Sequence, residues 1–491
     1  MKFNDNDYKD IIGTVFFALS IIMLGYMLVS PFNNMMVHID EFFTVSILNF
    51  PITDLIYVTS HDVHPPLYYL LLKIVSDIIT LLGLGSNKIF IYKLVSIVPY
   101  VLILILSFTK IKDEYGFFTA GLFAFSMAVM SEFLVYYSIL RMYSWAALFV
   151  ILAFVYLRDV IDKDEPKYWA LLTIFSVLAA YTHYFAAIQI ACIYLCLLIY
   201  LLMNDKEKLK YWAISAVCGI ILFAPWIFSF ISQVSSVSEA FWIPEITFNY
   251  VLGFIGYFVT PTKNFYTCIF SIIIFIVLIA YTATRLDKID KKDKFYILSG
   301  LVAYFGTIII GTAVSLMVRP LMIDRYLLPS AAILWFAISF MLGKIKTRKE
   351  FIITFALVLI MMVAGISQIS SDNEFWATNN VQREAFFENI SQDNNSIVIN
   401  DGGNRMFYMD FSDDTDMYLL NDRELHYGYD LSELHDIFDF TEISKEDIPK
   451  LIEQNPDKNI YIICRTTNFD KNITTTPILD KGNPIILEVV H

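Results

Sequence analysis

Eleven long apolar runs separated by short polar connections leave this 491-residue chain few folds to choose from. A helix needs about 20 apolar residues to cross the roughly 30 Å hydrocarbon core of a bilayer. Runs close to that size recur near 11–30, 90–109, 116–137, 142–157, 168–183, 185–203, 211–230, 265–284, 295–317, 327–343 and 351–369. With 57% hydrophobic residues, 16% aromatics and a mean hydropathy of +0.59, the composition is far above the soluble norm. The pattern predicts a polytopic α-helical membrane protein. The first run is too long for the apolar core of a secretory signal and lacks an evident small-residue cleavage site. It is therefore expected to be a first span.

Two segments need a decision. The uncharged stretch 168–204 is about twice the length of one span, so it is divided at Tyr181-Thr182-His183-Tyr184. The segment 66–82 is apolar enough to cross, but counting it would invert every later loop. It is read as a helix in the outer interface that ends at Gly83-Leu84-Gly85.

Lys and Arg set the orientation. They crowd every second connection: Lys110 and Lys112; Arg158, Lys163 and Lys167; Lys206, Lys208 and Lys210. Arg285, Lys288, Lys291, Lys292 and Lys294 form the next group, and Lys344, Lys346, Arg348 and Lys349 the last. The N-terminus is therefore expected in the cytoplasm, with the first outer loop (31–88) and everything past residue 370 outside the cell membrane. Residues 1–370 read as the transmembrane domain and 371–491 as a small extracytoplasmic α/β domain. That tail holds 24 acidic and nine basic residues, so the net charge of −13 belongs to it. No nucleic-acid partner is expected of such a chain. Residues 396–400, 416–420 and 459–463 read as buried strands, alternating with helical patterns near 378–390 and 446–455. Asn389, Asn394 and Asn472 open N-x-S/T triplets, which suit an exported face. Cys192, Cys196, Cys218 and Cys268 fall in apolar runs and Cys464 stands alone in the tail, so no disulfide framework is expected.

This topology collects a set of polar groups on the outer face. Asp40 and Glu41 follow the first span, and a carboxylate fixed at such a boundary can take a proton from a substrate hydroxyl. His61, Asp62 and His64 precede Pro65-Pro66, whose rings stiffen the backbone and start a helix. Glu132 and Arg141 flank one short outer turn, His183 another, and Arg319, Asp324, Arg325 and Tyr326 a third. Each has a plainer reading. An outer carboxylate is ordinarily a solvated charge, and an interfacial Arg among aromatics ordinarily snorkels to water. Ionisable groups at span ends are nevertheless costly unless they reach water or serve a site, and these converge on one face. Arg141 and Arg325 lie where positive charge is otherwise depleted, and a guanidinium fits a phosphate bidentately. His61, His64 and Asp62 could instead hold a divalent cation, a cofactor the sequence leaves open.

Three places in the chain resemble the GT-C glycosyltransferases. Asp40-Glu41 looks like their first-loop acidic motif. His64-Pro65-Pro66-Leu67 is similar to the His-Pro-Pro-Leu of protein O-mannosyltransferases and the Lys-Pro-Pro of aminoarabinose transferases. Arg141-Met142-Tyr143 and Arg325-Tyr326-Leu327-Leu328-Pro329 look like elements of a predicted membrane mannosyltransferase group. The resemblance spans roughly residues 1–345, and the large luminal domain of the O-mannosyltransferases is absent. It implies a catalytic Asp40, with Glu41 beside it, and a basic residue before the prolines, here His64, that contacts a lipid phosphate. Arg141, Arg325 and Tyr326 would join that phosphate site, and His61, Asp62, Glu132, His183 and Arg319 would support it or the acceptor.

The function expected is an inverting transferase that moves one sugar, mannose favoured, from a polyprenyl phosphate to a glycan, lipid or protein hydroxyl. The alternative is a transporter or flippase of a lipid-linked or polar solute. Against the alternative, the chain shows no inverted repeat and no pair of Gly/Pro-broken helices.

Overall fold

The computed structural model describes residues 7–30, 33, 39–84, 88–163, 165–239, 243–261, 265–284, 289–391, 395–401, 415–420, 440–464, 466–467, 469–479 and 485–490. Gly85, Arg285, Lys288 and Asn394 lie outside them. The chain divides into two compact units, Met1–Asn33 with Val63–Ser370, and Asn34–Asp62 with Ser371–His491.

Every apolar run is helical in the first unit. Among the described residues, eight helices are long and apolar enough to cross a membrane: Tyr8–Val29, Lys88–Tyr115, Tyr143–Asp162, Tyr184–Asn204, Lys206–Ser235, Lys291–Met317, Asp324–Gly343 and Arg348–Ser370. The other three expected runs form shorter helices, Phe117–Val129, Pro166–Thr182 and Phe265–Ala283. Ile220, Phe228, Tyr266, Met317 and Val363 stand exposed on these helices, an outward apolar surface that a lipid environment accommodates. The long stretch 168–204 divides at His183 as expected, with one helix ending at Thr182 and the next beginning at Tyr184.

Two boundaries differ from the sequence reading. The run 116–137 is not one helix, because it breaks at Met130–Glu132 and resumes as Phe133–Ser138. Ser131 there adopts φ +53°, the only positive φ of a non-glycine residue among the described residues. Such a conformation costs on the order of 1 kcal/mol or more and needs surrounding contacts to hold it. The last apolar run does not stop near 369 but continues as one helix, Arg348–Ser391.

The helix Leu67–Leu81 has 15 residues, short of the ~20 a span requires. It docks on Lys88–Leu106 through Tyr68 Oη–Ser96 Oγ (2.9 Å) and Ser76 Oγ–Tyr92 Oη (2.7 Å). It ends where Gly83 takes φ +68°, the left-handed position that glycine closes cheaply.

The basic connections meet at one end of this unit. Lys110 pairs with Glu114 (2.5 Å) and with the buried Asp159, which also binds Lys163 at 2.5 Å. Lys292 pairs with Asp162, and Lys344 with Asp293 at 2.6 Å. Lys208 Nζ donates to the carbonyls of Val160 (3.1 Å) and Ile161 (2.7 Å), and Lys9 Nζ to Gly343 (2.8 Å) and Ile345 (2.5 Å). Segments that the Lys/Arg alternation assigned to one side are thus in mutual contact.

Close helix approach holds the unit together where small residues face each other. A Cβ added at Gly121 would lie 2.0 Å from the carbonyl oxygen of Gly13, and one at Gly13 only 2.7 Å from that of Phe117. Both obstacles are backbone, which cannot swing aside. Gly121→Ala is expected to destabilise the folded protein by at least about 1–3 kcal/mol. Gly219→Ala, whose nearest neighbour is Val177 Cγ2 at 4.0 Å, should be neutral or mildly stabilising, since Ala is the better helix former. Thermal unfolding of the detergent-solubilised variants checks the pair, and equal midpoints would refute the close-approach account.

The second unit contains one six-stranded sheet of order β3-β2-β1-β4-β6-β5. Its strands are β1 (Ser396–Asn400), β2 (Asp416–Leu420), β3 (Thr441–Ile443), β4 (Asn459–Cys464), β5 (Thr475–Leu479) and β6 (Ile485–Val489). β3, β2, β1 and β4 run parallel, while β6 is antiparallel to both β4 and β5. Strands covered on both faces read as continuous apolar runs, which is why β1 and β4 were legible. Ile397, Ile399, Ile460, Ile462 and Leu487 form the core with Ile448 and Leu451 of the helix Ile448–Gln454. Edge strand β5 carries Pro477 and a register shift, both usual devices at an exposed edge. All five cysteines are free.

Candidate functional site

Several residues of the first unit that the Lys/Arg alternation assigns to the outer face come together, each on a different break in helical structure. Pro66 caps the helix Leu67–Leu81, and His64 is buried just before it, 6% exposed. Arg141 occupies the turn between Phe133–Ser138 and Tyr143–Asp162, with its backbone N–H bonded to the Ile139 carbonyl at 3.0 Å. His183 is the residue between two helices. Arg325 and Tyr326 lie in the 3₁₀ turn Asp324–Leu327, fixed ahead of the next helix by Pro329 at its start.

Their side chains converge. The His64 and His183 rings are 5.6 Å apart. His183 also packs on Tyr143 (5.3 Å) and Tyr326 (4.8 Å). The Arg325 guanidinium lies 5.8 Å from the Tyr143 ring, within cation–π range. Arg141 Nη1 donates to Tyr69 Oη at 3.3 Å, and Arg141 itself is only 4% exposed. Gln189 Nε2 donates to the Tyr326 carbonyl at 3.2 Å. The fully buried Lys93 donates to the Ser138 carbonyl at 2.9 Å, close by in sequence to Arg141.

The protonation of His183 follows from its contacts. Its Nδ1 accepts from the Phe185 backbone N–H at 3.1 Å, which leaves the ring proton on Nε2. Burial first, then the positive charge of His64, Arg141 and Arg325, holds its pKa well below the usual histidine value. His183 is therefore a neutral imidazole with its Nε2–H left to donate, in the field of Arg141 and Arg325, an arrangement that suits an anionic ligand.

A second group adjoins this one. Glu132 is half-buried at the helix break and its Oε2 accepts from Tyr257 Oη at 3.3 Å. Asp324 Oδ1 accepts from the Arg325 backbone N–H at 2.9 Å. Arg319 is half-buried in the connection that leads to Asp324.

The remaining expected residues belong to the second unit. Asp40 and Glu41 form the first turn of the helix Ile39–Ser46, where Asp40 is half-buried and Glu41 fully buried. His61 ends the helix Ile52–His61, exposed, with its ring on Tyr57 (4.4 Å) and Nδ1 2.9 Å from the Tyr57 carbonyl. Asp62 follows it as the helix cap. Among the described residues no group of three or more His, Cys, Asp or Glu could hold a metal ion.

Tyr69, Lys93 and Gln189 were not singled out by sequence, and Tyr143 entered only as the end of the stretch Arg141-Met142-Tyr143. Lys93 did carry a signal, a lysine inside a predicted span. Tyr69 did not, because 30 tyrosines make an aromatic at a span end commonplace.

No protein-family model matches the chain, and no curated protein matches it. Among solved structures it is similar to ArnT from Cupriavidus metallidurans. The apo state aligns with a TM-score of 0.59, and the form bound to undecaprenyl phosphate with 0.60. Sequence identity is 11% in both, and each alignment covers 97% of this chain and 97% of the other. The chain has the fold of ArnT, with a small sheet domain at its C-terminal end.

Proposed function

We propose that this protein is an inverting glycosyltransferase that moves one sugar from a polyprenyl phosphate to a hydroxyl acceptor at the outer face of the membrane. The observation that carries the reading is the cluster of buried Arg141, His64 and His183 with half-buried Arg325, walled by Tyr69, Tyr143 and Tyr326. It stands in a chain whose fold is that of ArnT, one structure of which holds undecaprenyl phosphate. Two guanidiniums and an oriented imidazole suit an oxyanion, and a phosphate meets both guanidiniums bidentately.

In this mechanism Asp40 accepts the proton of the acceptor hydroxyl as its oxygen attacks the anomeric carbon. The new carbon–oxygen bond forms as the bond from that carbon to the phosphate oxygen breaks, so configuration inverts in a single displacement. The polyprenyl phosphate leaves with the bonding pair. Its growing charge is met by Arg141, Arg325 and His64, which stabilise the transition state more than the ground state. A phosphate leaves readily, so no second carboxylic acid is required. Glu41, fully buried beside Asp40, supports the loop from within. Mannose is the favoured sugar, on the strength of the Arg-x-Tyr and Arg-Tyr-Leu-x-Pro resemblance.

The test is incubation of purified protein in membranes with radiolabelled polyprenyl-phosphate mannose and, separately, glucose. Label appearing in glycan, second-lipid or protein fractions is the expected result. Label that crosses the bilayer but stays on its original lipid would favour transport instead.

A further inference from the structure

The helix break at Met130–Glu132 has no role in holding a phosphate, yet it is the most strained backbone position described outside glycine. Ser131 is 2% exposed, and its hydroxyl is buried with no hydrogen-bond partner among the described residues. Its backbone N–H bonds the Val259 carbonyl at 3.0 Å, which ties the break to the segment that carries Tyr257. Glu132 follows, bonded to the Tyr257 hydroxyl at 3.3 Å. Burial, then the charges of Glu132 and Asp324 among others, raises the Tyr257 pKa, so its hydroxyl keeps its proton and remains a donor.

This acidic group is continuous with the cationic one. Tyr136, one turn after Glu132, packs on Tyr143 at 4.7 Å, and Tyr143 faces Arg325 at 5.8 Å. Asp324 is bonded to the Arg325 backbone. A ligand whose phosphate sits on the arginines therefore has the Glu132 and Asp324 carboxylates and the Tyr257 hydroxyl in its neighbourhood, with Ser131 preceding Glu132 at the break. Carboxylates accept hydrogen bonds from hydroxyl or ammonium groups and repel a third carboxylate, most strongly where water is excluded.

Building on the transferase reading, we propose that Ser131, Glu132, Tyr257 and Asp324 form the sugar-ring subsite of the donor and restrict it to non-acidic sugars. Glu132 accepts from ring hydroxyls, and the Ser131 hydroxyl finds in the bound sugar the partner it lacks. A uronic acid is rejected because its carboxylate would meet Glu132 and Asp324.

Binding to the full-length protein in nanodiscs tests this with three probes: undecaprenyl phosphate, polyprenyl-phosphate mannose and polyprenyl-phosphate glucuronate. Wild type should bind the mannose lipid tightest and the glucuronate lipid weakest. Glu132→Gln should weaken the mannose lipid about tenfold, the scale of one charge-assisted hydrogen bond, strengthen the glucuronate lipid, and leave undecaprenyl phosphate unchanged. Ser131→Gly keeps the backbone conformation and removes the hydroxyl. It should fold at least as stably as wild type and still lose mannose-lipid affinity, a loss that a purely structural serine would not produce. If all three probes bind and neither variant alters their ranking, the subsite is wrong and the transferase reading stands. If none of the phosphates binds wild type, both fall together.

Discussion

Asp40→Asn should abolish sugar transfer while the protein still folds and still binds its lipid phosphate. The amide keeps the shape of the carboxylate and loses its affinity for a proton, so what disappears is general-base catalysis, worth about 10²–10⁴-fold. The structure supports Asp40 over its neighbour: Asp40 is half-buried and can meet a substrate, whereas Glu41 has no exposed surface. The measurement is a single-turnover assay with labelled donor, alongside thermal unfolding and undecaprenyl-phosphate binding. A collapse of turnover with unchanged unfolding midpoint and binding is the expected outcome. Turnover within threefold of wild type would displace the base from Asp40, and Glu132 would inherit the role and lose the one proposed for it above.

The membrane unit was legible because its determinants are local. Counting apolar residues against the bilayer finds each helix, and twice the needed length demands the division that falls at His183. The Lys/Arg alternation grouped residues such as Lys110, Lys163, Lys208 and Lys344 into connections that do meet at one end. The break at Ser131 was hidden because residues 117–137 contain no proline and only Gly121, which packs against Gly13 instead of breaking the helix. Its cause is tertiary, the bond from Ser131 to Val259. The helix Arg348–Ser391 was cut short at 370 because composition turns polar there, yet a change of solvent does not require a change of backbone. In the sheet, β1, β2 and β4 announced themselves as apolar runs. Short β3, the proline-bearing edge β5 and β6 did not. Of the candidate site, the charged members were legible by type and by their place at span ends. The pairings that orient them, Tyr69 with Arg141 and Tyr143 with Arg325, join helices far apart in sequence, and no motif announces which residue meets which.

Those partners sharpen the second large expectation, at the phosphate end. Were Arg141 a snorkelling residue, its guanidinium would reach water, and Lys would replace it at little loss. It is instead 4% exposed and donates to Tyr69 from inside the protein, which is the posture of a group held for a ligand. Arg325 is half-buried with its cation near the Tyr143 face. Lysine is a point charge that cannot reproduce the two parallel bonds of a guanidinium to a phosphate, and it stacks less well on an aromatic ring. Losing one such charge-assisted bond costs about 1.5–3 kcal/mol, so Arg325→Lys and Arg141→Lys should each lower kcat/KM by about 10–100-fold. The loss should fall on kcat as well as KM, because the phosphate gains charge on the way to the transition state and the missing bond matters most there. Steady-state kinetics with the lipid-linked donor separates the two constants. A rise in KM alone would mean that the arginines hold the ground state and do no more. Wild-type behaviour of both variants, in a protein that Asp40→Asn inactivates, would leave an enzyme whose leaving-group charge is met elsewhere. The buried Lys93, bonded to the Ser138 carbonyl near Arg141, would then be the next cation to replace.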